Sequence, residues 1–289
     1  MAKAEIASGR CQFDEIWVRM TLVSIITAAY APSGQFLMET AKSVAAQTVP
    51  SGWDIEWIIQ EDGERPALAD SLTDIANVRY EANEGQLGLA VTRNLALSRA
   101  SGELVQVLDH DDLLLPGAIE LLVSRFIENP IHWAVGQADD LMPDGERRSY
   151  PSALDFGVVP PKVVNEWAAE RKGNWPVHCA GLMMRTESVR VLGGWAGLPA
   201  EDDISLFAAL SEVTSGYCEE AVTWLYRQHA GQTFRTEKWR SRSARGRQVA
   251  LQRARAMSRA GVRIEAVPFG DEVASAVEVG DSIKKPREI

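Results

Sequence analysis

The sequence predicts an α/β protein built on a Rossmann-like, mostly parallel central sheet flanked by helices, with a helical extension at its C-terminus. Three observations carry this. Short β-rich runs alternate with helical segments between residues 22 and 128; three of those runs end in acids or small residues, at 27–30, 61–63 and 109–112; and a basic helical stretch follows the last strand. Alternating strands and helices are the pattern of a parallel sheet wound with helices. Ligands of such sheets bind beyond the carboxyl ends of the strands.

Taken in order, Leu22-Val23-Ser24-Ile25-Ile26-Thr27 is the first strand. A helix from about Gln35 to Gln47 sets Phe36, Ala41, Val44 and Ala45 on or near one face. Ile55 to Ile59 is a second strand, ending in Glu61-Asp62-Gly63, and Val78 to Glu81 a third. Asn83, Gly85 and Gly88 turn the chain into a helix from about Leu89 to Arg99. Leu104, Val105, Val107 and Leu108 then form a short buried strand that delivers Asp109, Asp111 and Asp112 together. Acids this close repel one another unless a cation or hydrogen-bond donors share the charge. Mg²⁺ or Mn²⁺ suits such a cluster, because it takes one or two carboxylates from the protein and fills its shell with water and substrate phosphates. An acidic turn before the helix that Pro116 begins is the structural alternative.

That helix runs to about Glu128, with Ile119, Leu122, Val123 and Phe126 at core spacing. Trp133 to Ala138 reads as a strand and Asp139-Asp140 as a turn. Residues 141–176, rich in Pro, Gly and charge, read as variable loops, and His178 to Met184 as a strand. Asp202-Asp203 opens a helix through Leu210, and Ala221 to Tyr226 is the closing strand, followed by His229.

Of the 289 residues, 40 are acidic and 30 basic, and the net charge of −10 argues against a general nucleic-acid binder. The exception is Arg235 to Arg259, with nine Lys or Arg against the single acid Glu237. Its arginines are expected to lie against the acidic body; binding of an anionic acceptor or a lipid surface, or simple solvation, are the alternatives. Cys11, Cys179 and Cys218 are far apart and read as reduced thiols. No apolar run reaches the ~18 residues of a membrane span, and the first twenty residues do not resemble a signal peptide. A cytoplasmic protein is expected, and a homo-oligomer stays open.

Five linked motifs resemble family 2 glycosyltransferases. They are Val23 to Tyr30, Ser43 to Thr48, Glu56 to Gly63, Asn83-Glu84-Gly85 with Arg93-Asn94, and Gly102 to Asp112. The match is strongest over 21–117 and weaker to about 230. The resemblance implies a GT-A fold, a nucleotide-sugar donor with UDP preferred, Mn²⁺ or Mg²⁺, inversion at the anomeric carbon, and a small-molecule or glycan acceptor. It divides the chain into an N-terminal arm (1–20), a donor-binding half (21–117), an acceptor-binding half (118–232) and a basic helix with a flexible tail (233–289).

Carried over by residue, the resemblance implies that Asp62 bonds the nucleotide base and that Ala29 and Tyr30 pack around it. It puts Arg93 near the donor's phosphates or sugar, and Asp109 on the ribose or sugar. The metal would be held by Asp111, with Asp112 next, and His229 is a further candidate. Gly193-Gly194-Trp195 followed by Asp202-Asp203 resembles the family's segment carrying the general base. The apolar phase of Leu206, Phe207 and Leu210 favours Asp203; a shift of one residue selects Asp202. The chain departs from the family at Glu61, at Thr27-Ala28-Ala29, and at Ala31. A donor-binding or scaffold protein of the same fold that has lost catalysis is therefore the alternative. A sugar nucleotidyltransferase would need a Gly-rich, Arg-containing loop directly after the first strand, which Thr27 to Gln35 does not supply.

Overall fold

The computed structural model describes residues 20–270. The expected N-terminal arm, but for Met20, and residues 271–289 of the expected tail lie outside them. The first half is a run of right-spaced strands and helices: β1 (Thr21–Ala29), α1 (Leu37–Ala45), β2 (Trp53–Glu61), α2 (Ala69–Leu72), β3 (Val78–Ala82), α3 (Leu89–Arg99) and β4 (Leu104–Val107). β1 pairs in parallel with β2 over nine positions, Thr21 against Trp53 through Ala29 against Glu61, and in parallel with β4 on its other side. β3 extends the same parallel array beyond β2.

Side chains alternate across this sheet, so neighbours in sequence serve opposite layers. Ile25, Ile59 and Leu104 face α1, joining Leu37, Ala41 and Val44. Ile26, Ile58 and Val105 face the other way, joining Ala96 and Leu97 of α3. Each of those six strand residues is at most 1% exposed. Burial on both faces explains why β1 reads as a nearly unbroken apolar run.

The second half comprises β5 (Leu113–Leu114), α4 (Ala118–Glu128), β6 (Trp133–Leu141), β7 (Arg147–Ser149), β8 (Gly157–Val159), α5 (Val163–Glu170), β9 (Met183–Arg185), α6 (Thr186–Val191), α7 (Asp202–Val213), β10 (Gly216–Arg227) and α8 (Glu237–Arg259). It extends the same sheet, in the order β3-β2-β1-β4-β9-β6-β10-β5, with β7 beside β6 and β8 beside β10. β9 runs antiparallel between β4 and β6, whereas β6 and β10 are parallel.

Three expectations fail in this half. Asp139-Asp140 is not a turn but the end of β6, where Arg147 of β7 pairs with Asp139 at 2.7 Å and Tyr150 donates to Asp140 at 2.8 Å. The cross-strand partners make charged residues acceptable within a strand. Residues 141–176 are not loop throughout, because β7, β8 and α5 lie inside them. His178 to Met184 is a single 3-10 turn at Cys179–Gly181 and then β9, since pairing with β4 begins only at Met183.

α8 forms as expected and begins at Thr236, whose hydroxyl accepts the Trp239 amide. Its buried residues are small: Ser243, Gly246, Ala250 and Ala254. At Gly246 a Cβ atom would stand 2.5 Å from the Ala200 carbonyl oxygen, so the helix sits almost backbone to backbone against the start of α7. The expected packing of arginines on the body holds for Arg247, paired with Glu201 at 2.7 Å, and for Arg253, which donates to the Leu192 carbonyl. Arg240, Arg242, Arg245, Arg255 and Arg259 are instead exposed.

Candidate active site

Along the carboxyl ends of the strands lies a cavity of about 970 Å³, within the size range of small-molecule sites. At one end it is lined by Ala29, the last residue of β1, by Tyr30, which follows it, by Asp62, which follows β2, and by Gly88. Asp62 is buried and organises this end. Its carboxylate accepts the Leu87 and Gly88 amides at 2.6 and 3.0 Å and the Asn83 side-chain amide at 3.0 Å. Glu61, the departure from the family pattern, points elsewhere: it accepts the Ala67 and Leu68 amides and the Tyr80 hydroxyl. It therefore fixes the chain after β2 rather than entering the cavity.

The middle of the cavity gathers charge. Asp109 and Asp111 follow β4 and both line it. Asp111 Oδ2 is 2.8 Å from His229 Nε2, a contact bridging 118 positions of sequence. Asp112 lies behind them, 0% exposed, with one oxygen accepting the Arg227 amide and the other without a hydrogen-bond partner among the described residues. Burial, with repulsion from Asp109 and Asp111, holds its carboxyl well above the usual range. The structure thus separates neighbours: Asp111 faces the cavity and Asp112 does not line it.

Among the described residues no three His, Cys, Asp or Glu converge into a metal cage. Mg²⁺ or Mn²⁺ at a phosphate substrate needs only one or two protein ligands. A carboxylate and an imidazole already in contact, Asp111 and His229, are a donor set that fits.

Arg93 ties the centre to the far side. It is 3% exposed, and its guanidinium reaches Asp109 at 2.8 Å and Asp202 at 3.3 Å. Burial disfavours its charge, but the fields of Asp109, Asp202 and Asp203 outweigh that and hold it protonated. The α7 N-terminus supplies the two candidate bases. Glu201, in the left-handed region at φ 63°, is bound by Arg247 and Ser243 and turns the chain so that Asp202 and Asp203 enter the first turn. Both acids line the cavity. Asp202 is buried, and burial raises its carboxyl to about 6 despite Arg93, with Asp203 adding repulsion. Asp203 is less buried, accepts the Ile204 amide at 2.7 Å through one oxygen, and makes no ion pair among the described residues.

The other end of the cavity is aromatic and escapes sequence reasoning. His178 packs against Tyr226 with ring centroids 4.4 Å apart and planes tilted by 55°, Tyr226 lies 6.2 Å from Phe234, and Phe234 meets Trp239 edge-on at 6.5 Å. Trp175 joins them in the lining, its indole N–H held by Asn165. His178 faces cavity solvent while enclosed by protein, and that enclosure lowers its pKa. The signal available in the sequence was the run of aromatics around the closing strand and the start of the basic helix.

A parallel-strand edge, an Asp-rich strand end and a carboxylate pair on one cavity define the class: a GT-A glycosyltransferase fold. The comparisons with known proteins agree. The model of glycosyl transferase family 2 matches residues 24–192, and the chain belongs to that family. It is 25% identical over 170 residues to the glycosyltransferase GlyG of Streptococcus pneumoniae, covering 57% of this chain and 55% of GlyG. It is 30% identical over 118 residues to a glucosyl-dolichyl phosphate glucuronosyltransferase of Haloferax volcanii, covering 39% and 37%. The chain thus spans about half or less of these relatives' lengths. Residues 1–349 of S. aureus TarS, solved with UDP-GlcNAc, superpose with a TM-score of 0.57 at 16% identity, over 73% of this chain and 60% of that one. That likeness is one of fold. Among the described residues no helix is long and apolar enough to cross a membrane.

Proposed function

We propose that the protein is an inverting glycosyltransferase that moves a sugar from a UDP-sugar to a hydroxyl of a glycan or small-molecule acceptor. The observation carrying this reading is that Asp62, Asp111 and Asp203 line one cavity, with His229 in contact with Asp111, although they come from the ends of β2 and β4, the segment after β10 and α7. UDP as the donor nucleotide is supported by the UDP-GlcNAc bound to TarS.

The base lies against Tyr30 and the small Ala29, with the remaining hydrogen-bonding capacity of Asp62 toward it. Asp109, oriented by Arg93, faces the ribose or donor sugar. With the diphosphate bound, Mn²⁺ or Mg²⁺ at Asp111 and His229 would supply positive charge to the departing phosphates. Asp203 takes the proton of the acceptor hydroxyl as that oxygen attacks the anomeric carbon; the new C–O bond forms as the bond to the diphosphate breaks on the opposite face. Asp203 is preferred to Asp202 because Asp202 is turned into Arg93, whereas one carboxylate oxygen of Asp203 takes no hydrogen bond from the described residues. The aromatic end, Tyr226, Phe234, Trp239 and Trp175, receives the acceptor.

Calorimetric titration of UDP with and without Mn²⁺ into wild type and Asp111→Asn tests the reading. Metal-dependent binding in wild type that weakens at least tenfold in the variant is expected. Absence of UDP binding, or binding indifferent to metal and to Asp111, would remove the donor site from this cavity. Binding without transfer to any acceptor would favour the scaffold alternative.

A further inference from the structure

α8 carries a row of unpaired cations on its outer face. Lys238, Arg242, Arg245, Arg255 and Arg259 are exposed, and none makes an ion pair with another of the described residues. At about 100° per residue the five fall within one sector of about 140° and run roughly 30 Å along the helix. Ser243, Gly246, Ala250 and Ala254, buried, occupy the opposite side. After Glu237 the helix contains no acid at all. A helix that needs only to be solvated mixes signs and gains from i,i+4 pairs, yet this one forgoes every such pair in a chain of net charge −10. Beside the row is a groove of about 500 Å³, floored by Leu198, Pro199 and Val249 and edged by Arg242 and Arg245. Two guanidinium groups over an apolar floor suit a phosphate that carries a hydrocarbon part, since their planar forks match phosphate oxygens.

We propose that the outer face of α8 docks on an anionic lipid membrane, with the Arg242–Arg245 groove taking a lipid headgroup phosphate. Charge complementarity selects the partner. A flat anionic surface touches the row alone, whereas a nucleic acid that wrapped further would meet the acidic body. Val249 is the one large apolar residue in the exposed sector, so the helix rests on headgroups and does not insert as an apolar wedge. α8 also carries Trp239 and Arg247 on the cavity wall. A docked molecule therefore holds its cavity beside the lipid surface.

Cosedimentation of the full chain with vesicles tests this independently of any transfer reaction. Vesicles containing phosphatidylglycerol are expected to bind it, and pure phosphatidylcholine vesicles are not. Raising the salt, or reversing charge in the double variant Arg242→Glu with Arg245→Glu, should weaken binding at least tenfold. Arg255→Glu with Arg259→Glu should weaken it less, because the groove is intact. UDP binding by each variant reports folding. Equal binding to both vesicle types, undiminished binding by the Arg242/Arg245 double variant, or preference for a DNA duplex overturns the proposal. So does displacement by millimolar inorganic phosphate beyond that of chloride at matched ionic strength, which would make the groove a free-phosphate site.

Discussion

The two ends of the cavity, proposed for donor and acceptor, are built on different principles. At the donor end, Ala29 closes β1 and Tyr30, Asp62 and Asp109 follow the carboxyl ends of the parallel strands β1, β2 and β4, so local chain order places them. At the acceptor end, Trp175, Tyr226, Phe234 and Trp239 converge from a loop, a strand, a 3-10 turn and a helix across a mixed part of the sheet. Polar groups held by backbone amides fix the first end, and ring-on-ring contacts fix the second. The first is suited to one unchanging ligand chemistry. The second can be altered residue by residue without disturbing the sheet, which is where acceptor specificity can diverge.

The largest effect that separates the two ends is expected at their junction. Asp203→Asn should leave UDP affinity within about twofold while transfer falls by roughly 10²–10⁴-fold, the usual worth of a general base. Equal losses in donor binding and turnover would mean that α7 serves the donor end instead. Normal turnover would remove Asp203 as the base. Asp202→Asn should cost both, because Arg93 would lose one of its two carboxylate partners.

The same contrast explains what the sequence reveals. Asp62, Asp109 and Asp111 are legible because a β-rich run followed at once by acids marks a strand end, and the spacing repeats. Asp202 and Asp203 are legible as acids opening an apolar-phased helix. Arg93 is visible as a residue, but not its task, since its partners lie 16 and 109 positions away. The Asp139-Asp140 pair looks like a turn because charge is rare within strands, and only β7, folding back with Arg147, reverses that inference. α5 hides behind Pro160 and Pro161, which read as loop but stand just before its first turn. The aromatic end shows in the sequence only as a run of aromatics around the closing strand and the start of α8, and their convergence on one surface is a product of packing between elements.

Acid should also distinguish the regions. Burial, aided by the charge of Arg185, pushes His132 at the start of β6 down to about 4. The unfolded chain takes up that proton near pH 6.5 and the folded chain resists it, so stability present above pH 6.5 falls as pH drops toward 4. The loss is at most about 3 kcal/mol. In the donor half, burial raises Glu56, but hydrogen bonds from Ser24, Ser101 and Arg79, with the charge of Arg79, outweigh it and leave the carboxyl lowered. Its contribution persists above pH 4.5 and is lost only below. Urea midpoints against pH should therefore flatten between 6.5 and 4 in His132→Gln, which can still meet Ser188, and only below 4.5 in Glu56→Gln. A Glu56→Gln variant that flattened the upper window would break this separation.

The smallest effect is the sharpest probe of the acceptor end. Trp239 lies half-buried on α8, edge-on to Phe234, and contributes an indole face rather than a charge. Its removal should cost acceptor contact and nothing at the strand ends. Trp239→Ala is expected to raise the acceptor KM about tenfold, equivalent to about 1.4 kcal/mol, with kcat and UDP affinity nearly unchanged. Trp239→Phe should restore most of it, because an aromatic face remains. Phe234→Ala tests whether the rings act as one surface. If Phe234 merely props Trp239, the double variant should lose no more than Trp239→Ala alone; if each ring touches the acceptor, the losses should add. A rise in UDP Kd without a change in acceptor KM would place Trp239 on the donor and erase the division between the two ends.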